Sequence, residues 1–213
     1  MGDRGTLDPW DAEGWQRFIF LSAGVDPDAA CGARTIAEQT PGLDGVYTSR
    51  GLKLPGDAAL FRSGETFHVA LRSGISTERK RFAVFHEVAE FWLRGVVHPD
   101  IEHCCNAIAG ACTMPRAAFY SALREIGDDP HALAERFTVT PTSAALRIGE
   151  VTQLPLAVVT PSYMWIRGRE WNWPDEAGIR TEARRRIVRP GLRKILLENR
   201  RVALAASDIE DGV

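Results

Sequence analysis

The stretch Arg81-Phe82-Ala83-Val84-Phe85-His86-Glu87-Val88-Ala89-Glu90 sets His-Glu and, four residues after the histidine, a second ligand-capable side chain. Phe82, Phe85, Ala89 and Trp92 recur at helical spacing, so the segment reads as a helix with one buried stripe. It starts at Ser76-Thr77-Glu78, where Ser76 suits an N-cap, and runs to Arg94 before Gly95 ends it. One helical turn rises about 5.4 Å, so His86 and Glu90 point the same way and can grip one ion. Glu87 lies roughly 100° round from His86, where it would miss a metal yet reach water beside it. That is the arrangement of an HExxH zinc helix with its glutamate as general base, except that glutamate stands at the second histidine position.

Alone, His-Glu pairs of this kind are common on solvated helix faces, so a second element is needed. A next helix is expected from Pro99-Asp100, with Asp100 as N-cap, to Thr113, where Pro115 stops it. Glu102 and Asn106 fall at i and i+4 on it and share a face. A His/His/Glu-type site takes its third ligand from such a neighbour, and Asn106 can brace a ligand from behind. Ala107, Ala109, Gly110 and Ala111 keep this helix slim enough to approach closely.

This pair of helices resembles the ImmA/IrrE family of metallopeptidases, whose HExxH helix is followed by the pattern E-x-x-A-N-x-F-A-x-x-L-L-M-P. Here the second pattern spans Glu102 to Pro115, with Glu102, Asn106, Ala109, Met114 and Pro115 in register. The likeness extends upstream through Pro41-Gly42-Leu43-Asp44-Gly45 and downstream through Leu133-Ala134-Glu135-Arg136-Phe137-Thr138-Val139-Thr140, covering roughly residues 25 to 150. The resemblance implies a zincin-like α+β fold in which a small antiparallel sheet backs the metal helix. It implies His86, Glu90 and Glu102 as metal ligands, Glu87 as general base and Asn106 behind the ligands. It also implies a zinc-dependent endopeptidase that cleaves a helix-turn-helix repressor and so relieves repression of stress or mobile-element genes. Glu90 is the departure from the family pattern. Two carboxylates cancel the formal charge of a divalent ion, which weakens it as a Lewis acid and makes manganese an alternative to zinc.

Around this centre the chain organises simply. An opening helix is expected from about Trp10 to Ala23, burying Trp15, Phe18, Ile19 and Leu21. Turn signals at Pro41-Gly42, Asp44-Gly45, Pro55-Gly56-Asp57 and Ser63-Gly64 break Thr40 to Leu71 into short strands, with Ala58–Arg62 against Thr66–Leu71 as the clearest hairpin. Helices follow near 115–126, 130–137 and 141–151, the last two forming a helix-turn-helix-like segment at 130–151. Its groove-facing candidates, Thr142, Ser143, Ala144 and Ala145, carry no positive charge, which favours packing over DNA reading.

A boundary near residue 152 separates a metallopeptidase-like domain (1–152) from an appendage (153–213). The appendage is expected to hold a β-hairpin through 156–160 and 163–167, a Trp171/Trp173 loop and a basic helix whose Ile187, Leu192 and Ile195–Leu197 face inward. From Arg180 to Arg201 nine cations meet two carboxylates, a net of +7, leaving −9 elsewhere for the chain's total of −2. With Tyr163, Trp165, Trp171 and Trp173 upstream, that stretch also suits single-stranded nucleic acid or an acidic protein. A non-catalytic regulator that binds a repressor or nucleic acid is therefore the competing function.

The 213 residues, 45% of them hydrophobic, suffice for one sizeable core, and the near-neutral charge gives no global pull on nucleic acid or anionic membrane. No apolar run approaches a membrane span of about 20 residues, and the polar start lacks a signal segment, so a cytoplasmic protein is expected. Cys31, Cys104, Cys105 and Cys112 have no CxxC spacing, which argues against a disulfide framework or a cysteine zinc site. His98 and His103 lie near the proposed centre but read as solvent-facing. His68 in a strand and His131 at a helix start do not read as catalytic.

Overall fold

The structure, a computed structural model, describes residues 7–51, 53–153, 156–159, 164–167, 193–197 and 201–205; beyond residue 153 only the side chain of Val158 is described. The described residues fall into two compact units. The first runs to Glu125 and includes Phe137–Val139; the second holds Ile126–Arg136 and the described residues from Thr140 onward.

The first unit opens with α1 (Ala12–Ser22), whose N-cap Asp11 accepts the Gly14 N–H through Oδ1 at 2.9 Å. Trp15, Ile19 and Phe20 are buried, whereas Leu21, expected inside, is 58% exposed. Leu21 lies roughly 100° round from Phe20, outside the arc shared by positions 15 and 19. A seven-residue helix, α2 (Ala33–Gln39), follows and packs against strand β1 (Leu43–Ser49).

Strands β2 (Ala58–Ser63) and β3 (Thr66–Arg72) form the expected hairpin, with Ala58 opposite Leu71 and Ser63 opposite Thr66. The sheet is nevertheless mixed rather than antiparallel throughout. β1 pairs parallel to β3, giving the order β1-β3-β2, because residues 50–57 carry the chain from one edge of β3 to the other instead of turning back on β1. Alternating burial marks strand faces but not strand direction. The α+β class stands, and the sheet backs α3 (Thr77–Leu93), which packs on β2 and β3.

α3 begins where the Ser76 hydroxyl accepts the Arg79 N–H. A bidentate Arg79–Asp57 ion pair, 2.7 and 2.9 Å, links this first turn to the residue just before β2. α4 (Ile101–Thr113) lies against α3, and its buried Cys104, Cys105, Ile108, Ala109, Ala111 and Cys112 make the narrow contact face expected of small residues. Arg81 of α3 donates from Nη2 to the Thr113 carbonyl at 3.2 Å, fixing the far end of the pair. All four cysteines are unbridged. α5 (Arg116–Ile126) completes this unit, its Phe119 meeting Phe137 at 5.3 Å.

In the second unit α6 (Pro130–Phe137) leads to α7 (Pro141–Thr152), whose N-cap Thr140 accepts the Ser143 N–H at 3.1 Å. Thr142, Ala144 and Ala145 are buried, so they cannot meet base edges and the segment packs. Four strands follow: β4 (Leu156–Val159), β5 (Met164–Arg167), β6 (Arg193–Leu197) and β7 (Arg201–Ala205), in the order β5-β4-β7-β6. The hairpin β4–β5 is as expected.

Residues 193–197, read from sequence as part of a basic helix, are instead a strand antiparallel to β7, which itself runs parallel to β4. The apolar-rich Ile195-Leu196-Leu197 and Val202-Ala203-Leu204 runs suit a paired ladder. Residues 180–192 of the expected helix and the Trp171/Trp173 loop lie outside the described residues. No described helix is long and apolar enough to cross a membrane.

Candidate metal centre

α3 and α4 present their polar residues to one another over a small-residue contact. His86, Glu87 and Glu90 lie on α3 with one ligand atom from each within 4.8 Å of the other two. Glu102 is not in that mutually close group, but it approaches from the first turn of α4, its Oε2 3.5 Å from His86 Nε2. One turn later Asn106 Oδ1 lies 3.0 Å from His86 Nδ1. An amide oxygen only accepts, so His86 donates to it through Nδ1–H, and Nε2 is the ring nitrogen on the side of Glu102. The five side chains expected from sequence are therefore together.

Their environments differ. Glu90, Glu102 and Asn106 are exposed, His86 is partly buried, and Glu87 is only 5% exposed. Burial, helped by the Glu90 charge and a hydrogen bond with Glu90, pushes the Glu87 carboxyl up to about 8; the Leu60 amide of β2 pulls the other way and the Glu102 charge adds to the rise. Glu87 Oε2 has no hydrogen-bond partner.

A buried carboxyl among two further carboxylates and an imidazole, with no cation beside it among the described residues that act on it, is the signature of a site built for positive charge. One nitrogen and several carboxylate oxygens suit zinc, and also harder divalent ions such as manganese. The residues present fit a divalent metal on these grounds.

Two groups at the site escape sequence reasoning. The Leu60 amide reaches Glu87 through sheet packing, and no local spacing announces it. Cys105 lies under the acidic cluster, where burial first and then the charges of Glu102 and Glu90 push its thiol up to about 12, so it stays protonated. The other histidines stand apart. His98 Nδ1 accepts the Asp100 N–H at 3.1 Å, and its ring packs edge-on against Trp10; the Asp100 side chain itself makes no cap bond. His103 is exposed, His68 lies in β3 and His131 begins α6.

Residues 55–149, which contain β2, β3 and the whole α3–α4 constellation, match the family model of peptidase M78, the IrrE N-terminal-like domain. No curated protein matches. One solved structure similar to the chain is a Mycobacterium tuberculosis transcriptional regulator, 13% identical, with a TM-score of 0.48 over 65% of this chain and 46% of that one. The chain thus spans less than half the length of that protein. The match supports the resemblance to the ImmA/IrrE family for the part of the chain that contains α3 and α4.

Proposed function

We propose that the chain is a metal-dependent endopeptidase whose substrate is a helix-turn-helix transcriptional repressor. One observation carries the reading: His86, held by Asn106, offers Nε2 to Glu102 while Glu87 sits buried and incompletely bonded beside it. His86, Glu90 and Glu102 would hold the ion, zinc or alternatively manganese. Bound there, the ion supplies Lewis-acid polarisation of a scissile carbonyl and activation of a water.

The chain's own groups do the rest. Asn106 keeps His86 in one tautomer and one orientation. Glu87 takes a proton on its carboxylate and returns it to the departing amine, a role for which a raised carboxyl is suited once positive charge lowers it toward neutrality. The repressor as substrate, with release of stress or mobile-element genes as the consequence, rests on the family likeness. The metallopeptidase-like domain is assigned to residues 1–152.

The test is a metal-reconstitution series with a candidate helix-turn-helix repressor. Wild type loaded with zinc or manganese is expected to cut it, and Glu87→Gln, carrying equal ion, is expected not to. Intact repressor held by both forms would replace the peptidase by a non-catalytic regulator.

A further inference from the structure

Outside the metal helices, the most developed grouping lies on the far face of the three-stranded sheet. Strand register puts Gly45 and Tyr47 of β1, His68 and Ala70 of β3, and Ala59 and Phe61 of β2 on one side, opposite the side on which Phe67 packs against Phe91 of α3. The Phe61 ring stacks on His68 at 5.1 Å and the Tyr47 ring meets it at 5.6 Å, making a row of three rings across three strands. Tyr47 lies over Gly45, where a Cβ would sit in ordinary van der Waals contact with the phenol at 3.4 to 3.5 Å. The outer rings remain 51% and 42% exposed, while His68 is nearly enclosed. An isolated exposed aromatic needs no explanation; three joined rings whose outer pair is exposed among the described residues do.

At the His68 end of this face the charge is negative, and Arg72, two residues beyond Ala70 on β3, is paired with Asp57 at 3.7 Å. None of the six positions is a cation, and the exposed Asp44 places Oδ2 3.6 Å from His68 Nδ1, a ring nitrogen that has no hydrogen-bond partner. Nearby arginines are engaged elsewhere. Arg62 turns to the other face over Phe67 and pairs with Glu65, and Arg34 donates to the Val46 carbonyl and pairs with Glu38. Aromatic faces are electron-rich, and a planar guanidinium can stack on them while its N–H fork binds a carboxylate.

We infer that the Tyr47–His68–Phe61 row with Asp44 is a docking surface for an arginine-bearing segment of a protein partner, separate from the metal centre. An ammonium fits less well, because it cannot stack. A nucleic acid fits less well still, because Asp44 repels phosphate and Arg72, the cation that β3 puts on this face, is paired with Asp57.

The test uses the full chain in EDTA, so that metal and cleavage play no part. Its imidazole and aromatic resonances are followed as a triarginine peptide is added, with the tricitrulline peptide, equal in shape but uncharged, as the control. Saturable shifts of His68 with triarginine, at least tenfold weaker with tricitrulline, are expected. The exposed changes Asp44→Asn and Phe61→Ala, each checked for an unaltered fold by circular dichroism, should each weaken binding at least tenfold. Equal binding of tricitrulline, undiminished binding by folded Asp44→Asn, or displacement of the peptide by oligothymidylate would overturn the inference.

Discussion

Asn106 Oδ1 lies 3.0 Å from His86 Nδ1, so α4 orients the ring of the histidine proposed as a ligand on α3. Removing that brace leaves the ligand in place but free to turn. Asn106→Ala is therefore expected to weaken metal binding about 10- to 100-fold. Because Asn106 is exposed, the fold should lose only a few tenths of a kcal/mol. Competition with a chromogenic chelator measures the first and urea unfolding of the metal-free protein the second; a large stability loss with unchanged affinity would make Asn106 a packing residue.

Glu87 makes the metal-free protein sensitive to pH in a defined direction. Its carboxyl is raised from 4.5 to about 8, so between those values the folded state binds a proton that the unfolded state does not. Stability from this group is complete below about pH 4.5 and is lost as pH rises through 8. Each tenfold change in proton affinity between the two states is worth about 1.4 kcal/mol, and water screening of the exposed Glu90 and Glu102 reduces the total to about 2–3 kcal/mol. In EDTA, wild type should become less stable from about pH 5 to about pH 8.5, and Glu87→Gln should show a visibly flatter profile. Parallel profiles would remove Glu87 as the buried titrating group.

Glu90 is both the odd residue of the motif and the first charge that acts on Glu87. Glu90→His removes one negative charge from the centre. A divalent ion then stays a stronger Lewis acid, and the Glu87 carboxyl falls toward its ordinary range. Zinc-supported cleavage of a substrate is expected to rise by about tenfold relative to manganese-supported cleavage. Equal gains with both ions would show that Glu90 does not tune metal preference.

Why these site residues could be read from the chain while others could not is a matter of range. His86, Glu90, Glu102 and Asn106 are paired by one-turn spacings, which survive translation from sequence to helix without knowledge of the fold. The burial of Glu87 depends on β2 lying across α3, a contact between distant segments with no local periodicity. The same division runs through the architecture. α3 and α4 announce themselves by caps, stripes and Pro115, whereas α2 has only seven residues and its N-cap Gly32 makes no side-chain bond. The parallel partnership of β1 with β3 and the strand at 193–197 are hidden likewise, since burial patterns and charge counts do not say which neighbour a strand will find.

The last expectation concerns how the sheet is held to α3. Phe91, one residue past Glu90, packs edge-on against Phe67 of β3, and the Arg94 guanidinium carbon sits 3.9 Å from the centre of each ring. Just before β1, Gly42 has φ of 91°, and a Cβ there would come 3.0 Å from Phe91 Cζ. Gly42→Ala thus combines a left-handed backbone with a contact that a packed aromatic cluster cannot relieve by moving one flexible chain end. The cost is expected to be about 2–3 kcal/mol by urea unfolding. Gly51→Ala is the control, with a comparable φ of 96° and open space around its Cβ, and it should cost about 1 kcal/mol. The difference between the two variants measures the fit of Phe91 against the sheet, and if both lose the same amount, backbone strain alone accounts for the glycine at that corner.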